Sequence, residues 1–323
     1  MGRMGMVRSR RAMLADGGPT LALLALAALL PALASSEYVL LAASMIVTAL
    51  VAVSFNLLFG YAGMFSFGQA AFYGLGTYTT VLLMNEAGVG FYLALAGAVA
   101  VAALAAAVSG AVLVRMEPVA FVMLTFALGA LLEFAAEHSP KLTGGDSGLI
   151  ASLPSALNVI VEVNGVYYAM LGVAAAVLAG VFVFVRAHTG LILRGIREDA
   201  LRARTLGVAV ECRRLGVFVL AAGVAAVGGG LSVLSTQIVY PDVFDWKISA
   251  NALIATLLGG VGTFSGPVVG VGLIDFYVGK LTTDTLLVEG LVLLAVILLA
   301  PRGVLVAALR LGRRPVTSST STT

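Results

Sequence analysis

The sequence predicts an all-α fold: a polytopic transmembrane bundle of about ten spans, some of them short or broken by glycine. Its composition is 60% hydrophobic and 11% charged, with a mean hydropathy of +1.07. A soluble domain covers its surface with about 25% charged residues, so this chain lacks a water-facing exterior and needs lipid as its solvent. The charges are also clumped. No charge occurs in the 48 residues from 38 to 85, enough for two spans at roughly 20 residues each. Uncharged runs recur at 87–114, 163–185, 215–241 and 248–274, whereas a secretory signal explains at most one N-terminal run.

The basic residues order these spans. Arg3, Arg8, Arg10 and Arg11 precede the first apolar run, which places the N-terminal segment 1–19 in the cytoplasm by the positive-inside rule. Arg115 marks a second basic turn, the stretch 186–214 carries seven arginines, and Arg302, Arg310, Arg313 and Arg314 close the chain. The loop 137–165 holds one lysine and no arginine, beside Glu137, Asp146 and Glu162, and reads as external. Ten spans meet these constraints, near 20–35, 38–59, 62–84, 90–114, 119–136, 166–186, 215–237, 248–261, 264–281 and 285–301. The even number returns the C-terminus to the cytoplasm. The permease domain is thus expected over 20–301, with a cytoplasmic loop at 187–214. The segment 302–323 is a basic tail whose Ser/Thr-rich end has nothing to bury and should be disordered. The glycine-laden third span and the short eighth are the ones expected to be broken or re-entrant, which is tolerated where protein or a water-filled cavity replaces lipid.

Three stretches stand out from the Leu/Ala/Val background. The first runs from Asn56 to Tyr78 and puts Asn56, Ser66, Gln69 and Thr77 among glycines and aromatics at membrane depth. Amides are costly in hydrocarbon unless paired, so these side chains face other helices or an aqueous path. Together with Asn251 they are the candidate lining of a solute pathway, the alternative being helix-packing contacts alone. The second stretch contains Gly259, Gly260, Gly262, Gly266, Pro267 and Gly270. Its glycines at 262, 266 and 270 have small-xxx-small spacing for close helix crossing, while Pro267 and the Gly259-Gly260 pair favour a turn between two short helices. Its Phe-Ser-x-Gly-like pattern faintly echoes the first stretch, a hint of internal repeats about a central pathway.

The third stretch is the basic loop, where Leu193, Ile196, Ala200, Ala203 and Leu206 recur at helical spacing. An amphipathic helix is expected there, with Gly207 suited to its C-terminal cap. It reads either as a solvated topology signal or as a docking helix for a cytoplasmic protein. Motifs of soluble chemistry are missing. The chain has no Gly-x-x-x-x-Gly-Lys-[Ser/Thr] phosphate loop, no His-Glu-x-x-His and no Gly-x-Ser-x-Gly. Cys212, His138 and His188 are too scattered for a metal cluster or a disulfide framework. The net charge of +3 is informative through its placement beside lipid and does not point to nucleic acid. Asp275 is the deepest intramembrane acid, and it alone keeps an ion-coupled carrier in view.

On these stretches the sequence resembles the LivM-type permeases of branched-chain amino acid ABC importers, bacterial binding-protein-dependent systems. The matching residues are Asn56-Leu-Leu-Phe-Gly-Tyr-Ala-Gly with Ser66-Phe-Gly-Gln-Ala-Ala-Phe-Tyr-Gly, then Thr143-Gly-Gly-Asp-Ser-Gly-Leu. Arg194-Gly-Ile-Arg-Glu-Asp with Leu206-Gly-Val and Leu258-Gly-Gly-Val-Gly-Thr-Phe-Ser-Gly-Pro complete the set, in family order over roughly 40–310. The resemblance implies a non-enzymatic, multi-pass subunit of the inner membrane with both termini cytoplasmic. It implies no cofactor of its own, since ATP would be bound by two cytoplasmic ATPase subunits. A second homologous permease and a periplasmic or lipid-anchored solute-binding protein would complete the assembly. Residues Arg194, Gly195, Ile196, Arg197, Glu198, Asp199, Leu206 and Gly207 become candidates for ATPase coupling. Met64-Phe65-Ser66 stands where the family often has Gln-Leu-Ser, and Gln69 where it often has His. The resemblance implies branched-chain or related amino acids as the solutes, and these departures keep urea or short amides open as the alternative.

Overall fold

The computed structural model describes residues 18–32, 35–153, 157, 159 and 162–281. The predicted span at 285–301, the tail 302–323 and nearly all of the N-terminal segment lie outside the described residues. The helices in chain order are α1 (Gly18–Ala32), α2 (Ser36–Asn56), α3 (Gln69–Ala87), α4 (Phe91–Leu113), α5 (Pro118–Glu137) and the single turn α6 (Pro140–Thr143). There follow α7 (Val163–Arg186), α8 (His188–Glu198), α9 (Ala200–Thr205), α10 (Val210–Thr236), α11 (Trp246–Gly259) and α12 (Gly266–Leu281). Long Ala/Val/Leu runs form helices because in lipid a helix satisfies its own backbone polar groups. Five of them, α2, α4, α5, α7 and α10, are long and apolar enough to cross a bilayer. The chain is a multi-pass membrane protein.

α10 is the hub. Of its most apolar window 83% is buried, against 61% for α2 and its continuation and 22% for α5, so α2 and α10 form the core while α4, α5 and α7 lie at the rim. Close approach depends on small residues: a Cβ on Gly76 of α3 would lie 2.2 Å from the Ala226 carbonyl oxygen of α10. Phe72 of α3 and Phe121 of α5 both meet Phe218 of α10 edge-on, at 5.4 and 5.9 Å between ring centroids.

The connections segregate to two ends. At one end Thr20 bonds to Ser265 at 2.8 Å, and α8 meets the end of α2. At the other, β1 (Leu149–Ile150) pairs antiparallel with β2 (Ile238–Val239), and Asn85 at the end of α3 donates to Ile150 O while accepting from Ser152 N. The predicted external loop and the predicted cytoplasmic loop therefore occupy opposite ends.

Three expectations need correction. The third span does not begin at 62. α2 runs on through a π-helical stretch, Leu57–Ala62, and residues 63–68 are non-helical, so the span starts at Gln69. The basic loop is two helices rather than one from Leu193 to Leu206, because Asp199 is extended (φ −156°) and caps α9 by accepting from Arg202 N at 2.9 Å. Its apolar stripe is buried only at Leu193 and Ile196; Leu206 is 77% exposed. Gly207 does close α9. Its φ is +83°, its N–H reaches Arg204 O, and Val208 N reaches Ala203 O, the paired bonds of a Schellman cap.

Candidate functional site

The break before α3 lies at membrane depth, so its backbone groups need protein partners. Phe67 carries both solutions: its N–H donates to Thr125 Oγ1 of α5 at 3.3 Å, and its carbonyl accepts from Ser249 Oγ of α11 at 2.7 Å. Ser249 also accepts from Ala70 N at 2.9 Å, and Ser66 Oγ accepts from Gly68 N at 3.1 Å. Thr125, Ser249 and Ser66 are fully buried. Two helices distant in sequence thus replace the intrahelical bonds lost at the break.

Gln69, also fully buried, faces α2, with Ser54 Oγ 2.5 Å from its Oε1 and 2.7 Å from Ala221 O. One hydroxyl proton cannot serve both. The pattern that satisfies most groups turns the amide over, so that Gln69 Nε2 donates to Ser54, which donates to Ala221. Thr77 is buried and returns its hydroxyl to Tyr73 O, 2.9 Å away within α3. Asn251 stands apart, exposed on the outer face of α11.

Asn56 is a clamp. Its Nδ2 donates to Thr263 O at 2.8 Å, and its Oδ1 accepts from Gly262 N at 2.9 Å. The last residue of α2 thereby holds the turn between α11 and α12. That turn is as tight as its glycines suggest: a Cβ on Gly259 would lie 1.7 Å from Gly266 O, and one on Gly270 would lie 1.9 Å from Ala255 O. Pro267 sits in the first turn of α12 and Gly260 ends α11 at φ +124°.

Against this junction lies α8. Arg197 Nη1 donates to Gly60 O inside the π-helical stretch. The left-handed Gly63 (φ +70°) that ends this stretch lies against Arg197; a Cβ there would sit 3.0 Å from Arg197 Cγ. Arg197 Nη1 also borders Gly262, 3.0 Å from where its Cβ would be. Arg194 sits over the Tyr61 ring, 5.0 Å from its centroid. Leu193 and Ile196 are buried, whereas Gly195 and Glu198 face outward, with open space around the Gly195 Cα. The structure therefore joins Asn56, Arg194, Arg197, Gly262 and Gly266 at one end of the bundle, with Ser66 and Gln69 at the break above. Leu206 and Gly207 belong to the exposed α9 turn. Ser54, Thr125 and Ser249 carry much of this architecture without any sequence signal, since single hydroxyls in apolar helices gain meaning only from partners on other helices. Among the described residues there is no group of three or more potential metal ligands.

Spans pinned about a broken helix, with an arginine-bearing loop locked to the break, make this a polytopic helical membrane protein. Residues 37–301 match the family of the branched-chain amino acid transport system permease component, and the chain belongs to that family. It is 26% identical over 269 residues to the high-affinity branched-chain amino acid transport system permease protein LivM of Salmonella typhimurium, covering 75% of this chain and 63% of that one. The LivM of Escherichia coli K12 is 26% identical over 268 residues, with the same coverage. The E. coli K12 LivH permease protein is 26% identical over 287 residues, 80% of this chain and 90% of its own length. The chain spans about 63% of the length of the LivM relatives it matches. No solved structure matches it.

Proposed function

We propose that this chain is the membrane-spanning permease subunit of an ATP-driven importer for branched-chain or related amino acids. The observation that carries the reading is the seat of α8: Arg197 ties this basic helix to Gly60 and lies against Gly262, so both glycine-rich breaks meet a loop helix whose Gly195 and Glu198 face outward. An ATPase can bias a transporter only through contacts that differ between its states, and a helix locked to a broken span supplies them. The α8–α9 end is cytoplasmic by its arginines; the 140–150 loop at the other end faces the solute-binding protein. Two ATPase subunits, a second permease of the same family and that binding protein complete the assembly, and ATP is bound by the partners, not here.

The test is co-reconstitution with the subunits encoded beside it. Labelled leucine should enter proteoliposomes only with ATP and hydrolysis-competent ATPases. Uptake that persists with hydrolysis-dead ATPases makes the chain a secondary carrier, and ATP-driven uptake of urea without leucine moves it to the amide branch.

A further inference from the structure

α3 is fastened at both ends and along its length, and the fastenings leave little slack. At its external end Asn85, in the last turn, plays the part of a third strand. Its Nδ2 donates to Ile150 O at 2.8 Å and its Oδ1 accepts from Ser152 N at 2.9 Å. Between these two bonds Ala151 N donates to Gln237 O at 2.9 Å, and Gln237, left-handed at φ +59°, closes α10. The strip 149–152 is therefore stapled to the external ends of α3 and α10 together. The segment after β2 seats on the same helix: Phe244 stacks on Tyr78 with ring centroids 5.6 Å apart, and a Cβ on Gly74 would lie 2.4 Å from the Phe244 ring.

Across the bilayer α3 and α10 meet backbone to backbone. Besides the contact at Gly76, a Cβ on Gly229 of α10 would lie 2.0 Å from Tyr73 O. Contacts of this kind have no flexible side chain to absorb a displacement, and a close-packed interior transmits strain. At its inner end α3 begins at the pinned break, where Ser249 accepts from Ala70 N, and the left-handed Gly63 before the break lies against Arg197 of α8. The 19 residues of α3 cover about 28 Å at 1.5 Å per residue. One rigid element thus connects the external ribbon with the seat of the cytoplasmic helix.

We propose that α3 is a strut that carries the state of the external face to α8, and that Asn85 is the positioning residue that engages it. The inference rests on the permease reading, in which the external partner is the solute-binding protein. Docking on the 140–150 loop displaces the strip 149–152, Asn85 passes the displacement to α3, and the break delivers it to Arg197. Coupling between sites is reciprocal in binding free energy, so ATPase closure at α8 resets the ribbon by the same route. A side chain that only shaped the docking loop would act at the ribbon and no further.

Titrating solute-loaded binding protein against ATP hydrolysis in the reconstituted assembly separates the two roles. Asn85→Leu is close to asparagine in size and makes neither bond. It should lower the maximal stimulation at least about fivefold, the small end of measured couplings between sites, and leave basal hydrolysis and the half-saturating binding-protein concentration unchanged. Asn85→Asp keeps the acceptor for Ser152 N and loses the donor to Ile150 O, so it should lower the maximum by about twofold or more, the scale of one net hydrogen bond. The aspartate variant decides the matter if the leucine variant fails to assemble. A raised half-saturating concentration with full maximal stimulation makes Asn85 a scaffold of the docking loop and overturns the strut, as does wild-type behaviour of the assembled variants. A binding protein that neither binds nor stimulates the wild-type assembly overturns the permease reading itself.

Discussion

Replacing Arg197 by lysine separates a mechanical role from a topological one. Lysine keeps the positive charge that orients the loop but loses the planar fork that lets Arg197 donate to Gly60 O and lie along Gly63 and Gly262. A hydrogen bond from a charged group contributes about 1.5–3 kcal/mol. The contact is only partly buried, so the lower end, about 1.5 kcal/mol, applies, which is about tenfold in an equilibrium constant. If α8 transmits ATPase closure through this bond, the two states of the permease are biased about tenfold less strongly. Basal ATP hydrolysis and subunit assembly should be unchanged in proteoliposomes. Hydrolysis stimulated by solute-loaded binding protein should fall about tenfold, together with leucine uptake. Arg194→Lys, which disturbs only a ring contact at 5.0 Å, should lose less than about fivefold, in keeping with about 0.5–1 kcal/mol for an exposed cation–π pair. Wild-type stimulation and uptake in Arg197→Lys would refute the reasoning and leave the loop as a topology signal.

Asn56→Ala strips both bonds from the α11–α12 turn and leaves Gly262 N–H and Thr263 C=O without their partners. At about 1–3 kcal/mol for each group left unsatisfied, the detergent-solubilised protein should melt several degrees lower, and an unchanged melting curve counts against the clamp. Asp275→Asn should leave ATP-dependent uptake insensitive to an uncoupler that spares ATP; abolished uptake in a folded, assembled mutant would restore the carrier alternative. Single cysteines at Gly195 and Ser147 in a Cys212→Ser background should react with an impermeant reagent from opposite sides of the membrane. Ser147 is exposed, whereas neighbouring Gly145 is buried at φ +54° and resists a side chain. Labelling of both from one side would remove the proposed orientation.

The sequence made the long spans plain because hydropathy is a sum over some twenty residues and tolerates local exceptions. α4, α5, α7 and α10 lie within a few residues of their predicted places. Local geometry was harder. The π-helical stretch at Leu57–Ala62 has the same Leu/Phe/Gly/Tyr composition as a regular turn, and what selects it is the fit of Asn56 and Gly60 to residues some 200 and 140 positions away. Asp199 reads as one more charge in a polar face, yet one bond to Arg202 N makes it the cap that divides the basic loop. The polar cluster Asn56, Ser66, Gln69 and Thr77 was visible as an anomaly, but its partners Ser54, Thr125 and Ser249 were not, since an isolated hydroxyl carries no periodicity.

The central place of α10 has a consequence for how the chain is made. Ser54 on α2 finds its acceptor, Ala221, 167 residues further along. At synthesis rates of about 5–20 residues per second, the second span emerges roughly 10–30 s before the helix that completes its hydrogen bonds. During that interval Ser54, Gln69 and the small-residue face of α3 around Gly76 have no α10 against which to pack, and α4 and α5 are already synthesised with nothing to surround. The early spans must therefore be held in a protected site or remain loosely associated in lipid until residue 236 has entered. Packing of the early spans thus waits on α10, and a chain stalled or truncated before residue 210 is expected to be an inserted but unpacked fragment open to membrane proteases, however faithfully its first spans crossed.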